Sequence, residues 1–254
     1  MSEKHLNNNH LPIIFIHGSF ANAKSWRKIS ELGNFQDNSH QINLPGHGGL
    51  NDPVDFNKPI FETEFSEIKQ QIGYFNNPVH LVGHSYGGVI SLAAALTKKF
   101  NVAKLTLFEP VAVSTFKTFK DIAAVTIIER FIKEYRLAVK AGEKNACSRV
   151  IDFWGGKGSF EMIPPHIQDA MASMTKNNLR HWELCDKQFP TELYRNLDIP
   201  VDIIHGSKSN EVAKSIAKTL HENLPNARLH QIEGASHFMI TSHPQECVKI
   251  IRNQ

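Results

Sequence analysis

The chain has 254 residues, 41% of them hydrophobic and 21% charged, which is enough for one sizeable α/β domain with a full core and room for an inserted subdomain. Its formal charge of +3 comes from dispersed Lys and Arg, which argues against nucleic-acid binding. No apolar run approaches the ~18 residues of a membrane span, residues 1–10 hold no apolar signal-peptide core, and three widely spaced cysteines (Cys147, Cys185, Cys247) make no disulfide framework, so a reduced, cytoplasmic protein is expected.

Strand and helix signals alternate from the start. Ile13-Ile14-Phe15-Ile16 predicts a buried strand ending at His17-Gly18, and Gln41-Ile42-Asn43-Leu44 a weaker one ending at Pro45-Gly46. Phe65, Ile68, Ile72 and Phe75 recur at helical spacing over residues 62–75. A strand at Val79–Val82 leads to Gly83-His84-Ser85-Tyr86-Gly87-Gly88 and an Ala/Leu-rich helix from about Tyr86 to Lys99. Lys104–Phe108 is the next strand, stopped at Glu109-Pro110. Alternation of this kind implies a parallel sheet with crossover helices on both faces.

The pattern breaks between residues 111 and about 197, where helical periods such as Ile122, Val125, Ile128, Ile132 and Tyr135 occur without a convincing strand. It resumes with a strand at Val201–Ile204 and a helix marked by Val212, Ile216 and Leu220. A strand at Arg228–Ile232 then runs into Gly234-Ala235-Ser236-His237, and a last helix begins near Pro244. The expected organisation is a core from 1–110 and 198–254, with 111–197 as a helical insertion over the sheet.

Gly83-x-Ser85-x-Gly87 between a strand and a helix is a nucleophile elbow. The turn is so tight that the serine adopts a strained backbone, and flanking glycines relieve the crowding. A serine hydroxyl at neutral pH needs a base, an orienter for that base, and donors for a developing oxyanion. His237, in a Gly-rich loop directly after the last strand, is the candidate base. The donors should be backbone N–H groups fixed before reaction. One is Tyr86, at the helix N-terminus, and the other lies in the loop after the first strand, at Ser19, with Phe20 as its neighbouring candidate.

His17-Gly18-Ser19-Phe20, Leu44-Pro45-Gly46-His47-Gly48, Gly83–Gly88, Ile199-Pro200-Val201…His205-Gly206 and Gly234–His237 occur in this order over nearly the whole chain. In this the sequence resembles the α/β-hydrolase-fold enzymes. The resemblance implies a three-layer α/β fold, a helical lid after the strand that follows the elbow helix, and a Ser…acid…His triad. Only about 12 residues precede the first strand, so the family's two opening strands have no counterpart and about six mostly parallel strands are expected.

The acid departs from the family pattern. An Asp usually stands a few residues after His205-Gly206, where this chain reads Ser207-Lys208-Ser209-Asn210-Glu211. Ser209 occupies the expected place and suits an N-cap for the following helix. Two carboxylates can substitute. Glu109 ends the strand beside the nucleophile's strand, and Leu107-Phe108-Glu109-Pro110 resembles the acid position of haloalkane dehalogenases. Glu211 is nearer the usual place, but in a first helical turn it also suits the helix dipole.

The remaining signals are weaker. His80 and His84 lie four apart without the acid of a metal motif, Asp52 and Asp55 read as solvated loop acids, and no nucleotide-binding glycine loop is present. Phe116, Phe119, Phe131, Phe153, Trp154, Met171, Met174 and Trp182 in the insertion suit either helix packing or an acyl pocket. The expectation is therefore a cofactor-free, metal-free serine hydrolase, monomeric or homodimeric, acting on a small-molecule carboxylic ester, thioester or lactone. Ser85, His237 and Glu109 would be its triad, Ser19 and Tyr86 its oxyanion hole, and Glu211 the alternative acid. The rival expectations are C–C hydrolysis or perhydrolysis on the same fold, and a non-catalytic ligand-binding protein.

Overall fold

The computed structural model describes residues 11–73 and 76–252. Six parallel strands form one sheet in the order β2-β1-β3-β4-β5-β6, namely β1 (Ile13–Ile16), β2 (Ser39–Ile42), β3 (Val79–His84), β4 (Val102–Phe108), β5 (Val201–Gly206) and β6 (Ala227–Ile232). Both faces are covered. α1 (Arg27–Leu32) crosses from β1 to β2, α2 (Phe61–Ile72) from β2 to β3, and α3 (Tyr86–Leu96) from β3 to β4. The predicted helix over 62–75 thus stops at Ile72, and Phe75 lies outside the described residues.

Alternation along the strands sorts the core. Ile14 and Ile16 of β1, Leu81 of β3, Leu105 and Leu107 of β4 and Val201 and Ile203 of β5 share one core with α2, α3 and the helix that follows β5. Ile13, Phe15, Val82, Phe108 and Ile204 point the other way. There they meet Trp26, Ile29 of α1 and the C-terminal pair α11 (Met239–Ser242) and α12 (Pro244–Arg252). Every residue of α3 is buried, as its Ala/Leu composition requires of a helix wedged between sheet and insertion.

Between β4 and β5 there is no strand among the described residues. Six helices follow one another instead: α4 (Ser114–Thr118), α5 (Ile122–Lys140), α6 (Cys147–Gly155), α7 (Pro165–Ser173), α8 (Thr175–Cys185) and α9 (Thr191–Arg195). α10 (Glu211–Asn223) then joins β5 to β6. Among the described residues no helix is long and apolar enough to cross a membrane.

The strand order reverses between β1 and β3. In an open parallel sheet that is where the connecting loops part and leave a crevice at the carboxyl ends. The loop after β1 and the turn after β3 flank this crevice.

Candidate active site

Three non-glycine residues with positive φ cluster at the carboxyl ends of β1, β3 and β4: Phe20 at 58°, Ser85 at 56° and Glu109 at 41°. Such conformations cost of order 1–3 kcal/mol each and persist only where the surroundings dictate them. Around Ser85 the surroundings are backbone. A Cβ on Gly83 would sit 2.4 Å from the Gly87 carbonyl oxygen, and one on Gly87 would sit 2.2 Å from that of Ile16. The elbow therefore closes only with glycine at both places. Ser85 N–H donates to the Phe108 carbonyl at 3.0 Å, which pins the turn to the end of β4.

Ser85, His237 and Glu109 form one hydrogen-bonded line. Ser85 Oγ lies 3.1 Å from His237 Nε2, and His237 Nδ1 lies 2.8 Å from Glu109 Oε2. Glu109 is 1% exposed and His237 4%, so the contact between them is shielded from water. The other carboxylate oxygen, Oε1, accepts from Gly206 N–H at 2.9 Å and from the Ser209 hydroxyl. Burial pushes the Glu109 carboxyl up, but His237, Ser209 and Gly206 together outweigh it and hold the group below the ordinary carboxylate range.

Ser209 does not cap α10. Asn210 does, with extended backbone and a side chain accepting from Ala213 N–H at 2.8 Å. The hydroxyl of Ser209 is instead committed to Glu109. Glu211 is not brought to His237; its side chain is 90% exposed and pairs with Lys214 at 3.0 Å.

His84 is a second residue whose place the sequence did not reveal. Its Nε2 donates to the His237 carbonyl oxygen at 2.8 Å, and burial pushes its imidazole down to about 3, so it stays neutral and can hold that bond. His80 bonds the Thr106 hydroxyl at 2.8 Å. The two histidines are thus engaged separately, and among the described residues no group of three or more His, Cys, Asp or Glu side chains is arranged to hold a metal.

Ser19, Phe20, Ser85 and His237 line a cavity of about 990 Å³, at the upper end of small-molecule sites. Of the aromatic and methionine candidates in the insertion, Trp154, Met171 and Trp182 line it, whereas Phe116, Phe119, Phe131, Phe153 and Met174 do not. Trp154 stacks beside His237, ring centroids 5.5 Å apart. Tyr86 is fully buried at the first turn of α3, where backbone N–H groups have no intrahelical acceptor.

Helix α8 reaches α2 and the loop after β2 through polar contacts. Arg180 of α8, 2% exposed, makes bonds to Asp55 at 2.7 and 2.9 Å and to Glu64 of α2, which also accepts from the Tyr86 hydroxyl at 2.8 Å. Asp55 is therefore no solvated loop acid. Burial raises its carboxyl, but Arg180, the Ile60 N–H and the Thr63 hydroxyl bring it down to about 2. Asp52 likewise accepts from Asn177 at 3.0 Å. Gly46 has φ +74°, and a Cβ there would lie 2.3 Å from Asn177 Nδ2, which explains the Pro-Gly-His-Gly turn as the seat of α8.

The model of the alpha/beta hydrolase family matches residues 13–250. Ethanol acetyltransferase 1 of Cyberlindnera fabianii is 25% identical, the alignment covering 94% of this chain and 78% of that protein. The pimeloyl-[acyl-carrier protein] methyl ester esterase of Aeromonas salmonicida is also 25% identical, over 94% of this chain and 93% of its own. Among solved structures, MGS-M2, an alpha/beta hydrolase from a Medee basin deep-sea metagenome library, superposes with a TM-score of 0.73. It shares 16% identity and covers 97% of this chain and 89% of its own.

Proposed function

The chain belongs to the alpha/beta hydrolase family, and we propose from that premise that it is a serine hydrolase cleaving a small carboxylic ester, thioester or lactone through an acyl-enzyme on Ser85. The observation that carries this reading is the buried line Ser85–His237–Glu109, with separations of 3.1 and 2.8 Å, opening on the cavity. Reach between nucleophile and base, and an orienter on the base's far nitrogen, are the geometry acyl transfer requires.

His237 Nε2 takes the proton of Ser85 Oγ as the oxygen bonds to the substrate carbonyl carbon. The carbonyl π pair moves to its oxygen, and the N–H groups of Ser19 and Tyr86 receive the resulting charge. Donors of this kind contribute about 10²–10³ each in rate. Collapse of the tetrahedral species expels the leaving group, which takes the proton from His237. Water then repeats the sequence on the acyl-enzyme and releases the acid. Glu109 keeps the proton on His237 Nδ1, so that Nε2 is the basic nitrogen, and balances the imidazolium when it forms. Residues 111–197 act as a lid that walls the acyl side of the cavity.

The test is covalent. A fluorophosphonate probe should label Ser85, and p-nitrophenyl esters should release a stoichiometric burst of p-nitrophenol. A folded protein that neither labels nor bursts would be a binding protein on a hydrolase fold.

A further inference from the structure

Both residues assigned to the oxyanion hole are gripped by one side chain from α8. His181 Nδ1 lies 2.7 Å from the Ser19 hydroxyl, and the His181 ring stacks on that of Tyr86 with centroids 3.8 Å apart and an interplanar angle of 12°. Arg180, its neighbour, pairs with Glu64, the acceptor of the Tyr86 hydroxyl. His181 is 2% exposed, and burial holds its imidazole well below the ordinary range, so the bond to Ser19 joins neutral groups.

We infer that His181 is a positioning residue that makes the oxyanion hole depend on α8 being seated over the cavity. This rests on the serine-hydrolase reading given above. Ser85, His237 and Glu109 all stand on loops at the carboxyl ends of β3, β4 and β6, so their line does not need α8. The loop after β1 is different: it carries the positive-φ residue Phe20, and the side chain of Ser19 is anchored to α8 rather than to the sheet. With α8 displaced, the nucleophile and base remain aligned while the Ser19 donor loses its anchor and Tyr86 its stacking partner.

Asn178, Trp182 and Cys185 of the same helix line the cavity. An acyl group long enough to touch them helps seat α8 and so completes the oxyanion hole. Binding energy from a remote part of the substrate is then expressed in kcat rather than in KM.

A double-mutant cycle on Ser19→Ala and His181→Ala tests the inference, read with p-nitrophenyl acetate and p-nitrophenyl octanoate. The expected result is a fall in kcat of about 10–100-fold for His181→Ala with KM within about twofold, because a donor is misplaced rather than removed. The double variant should be no slower than His181→Ala, and His181→Asn, whose amide can reach Ser19 from the Nδ1 position, should recover part of the loss. Additive effects on kcat, or a rise in KM at unchanged kcat, would overturn the inference while a wild-type burst leaves the hydrolase reading standing. Absence of a burst in wild type would overturn that reading and this inference with it. Ser19→Ala removes only a hydroxyl, so amide exchange over residues 176–185 in that variant supplies a measurement that survives misfolding of His181→Ala. Exchange there should quicken severalfold, and unchanged exchange contradicts the coupling.

Discussion

The carboxyl edge of the sheet and helix α8, which faces it across the cavity, are both buried and polar, but they are held in different ways. At the sheet edge, ladder hydrogen bonds and close backbone contacts force strained residues into place. Ser85 N–H is tied to Phe108, Glu109 N–H donates to Ile204 at 2.9 Å, and no side chain fits at Gly83 or Gly87. In α8 the backbone is ordinary helix and the side chains do the holding. Arg180 spans Asp55 and Glu64, and His181 spans Ser19 and Tyr86. The first arrangement holds Ser85 rigidly in place. The second joins the insertion to the core by contacts that a single substitution can release.

Substitutions at the sheet edge should cost activity without stability, and those in α8 should do the reverse or both. The largest effect is expected from Ser85→Ala, which should lower kcat for p-nitrophenyl esters by about 10⁴-fold or more while the melting temperature holds. Arg180→Ala comes next. It leaves the Glu64 carboxylate fully buried without its cation, with only the Tyr86 hydroxyl as partner, which costs about 3–5 kcal/mol and should lower Tm by about 10 °C in calorimetry.

Acid should loosen α8 in a defined window. Asp55 is depressed from 3.8 to about 2 in the folded protein, so its stabilisation is complete above the unfolded value. That stabilisation drains away as pH falls from about 4 to about 2. It amounts to about 1–2 kcal/mol, and Asp55→Asn should flatten that part of a urea-unfolding series against pH. The smallest effect is expected from Ser209→Ala, which removes one of the three bonds on Glu109 and should cut kcat about 3–10-fold. No change in kcat would make Ser209 a packing residue only.

Much of the sheet edge was legible in the sequence because its constraints are local. Gly83-x-Ser85-x-Gly87 after Val79–Val82 is short, and apolar runs mark five of the six strands; β2 is the weak one, read at Gln41–Leu44 but formed by Ser39–Ile42. Glu109 could be proposed because it ends a strand that must lie next to β3. Its support could not be read. Ser209 occupies the place of the family's usual acid, yet its hydroxyl turns to Glu109, 100 residues away, and leaves the capping of α10 to Asn210. A serine beside an asparagine offers no local sign of which one caps.

The contacts of α8 were not legible for a related reason. Arg180 pairs with residues 125 and 116 positions earlier, and nothing in a helical period announces a buried ion pair at that range. Asp52 and Asp55 read as solvated loop acids because they follow the Pro-Gly-His-Gly loop; Asp52 is indeed exposed, while the docking of α8 covers most of Asp55. Trp154, Met171 and Trp182 line the cavity while Phe116, Phe119, Phe131 and Phe153 do not. Helical spacing marks the apolar face but not which part of it lines the cavity.

The proposed mechanism needs its acid at the end of β4 rather than of β5. The direct measurement is kcat for a p-nitrophenyl ester in Glu109→Gln beside Glu211→Gln, with folding checked by circular dichroism. Glu109→Gln should lose about 10²–10⁴-fold, since an amide leaves His237 in the wrong tautomer and its positive charge unbalanced, and Glu211→Gln should stay within twofold of wild type. A Glu109→Gln protein that is folded and fully active would contradict the account.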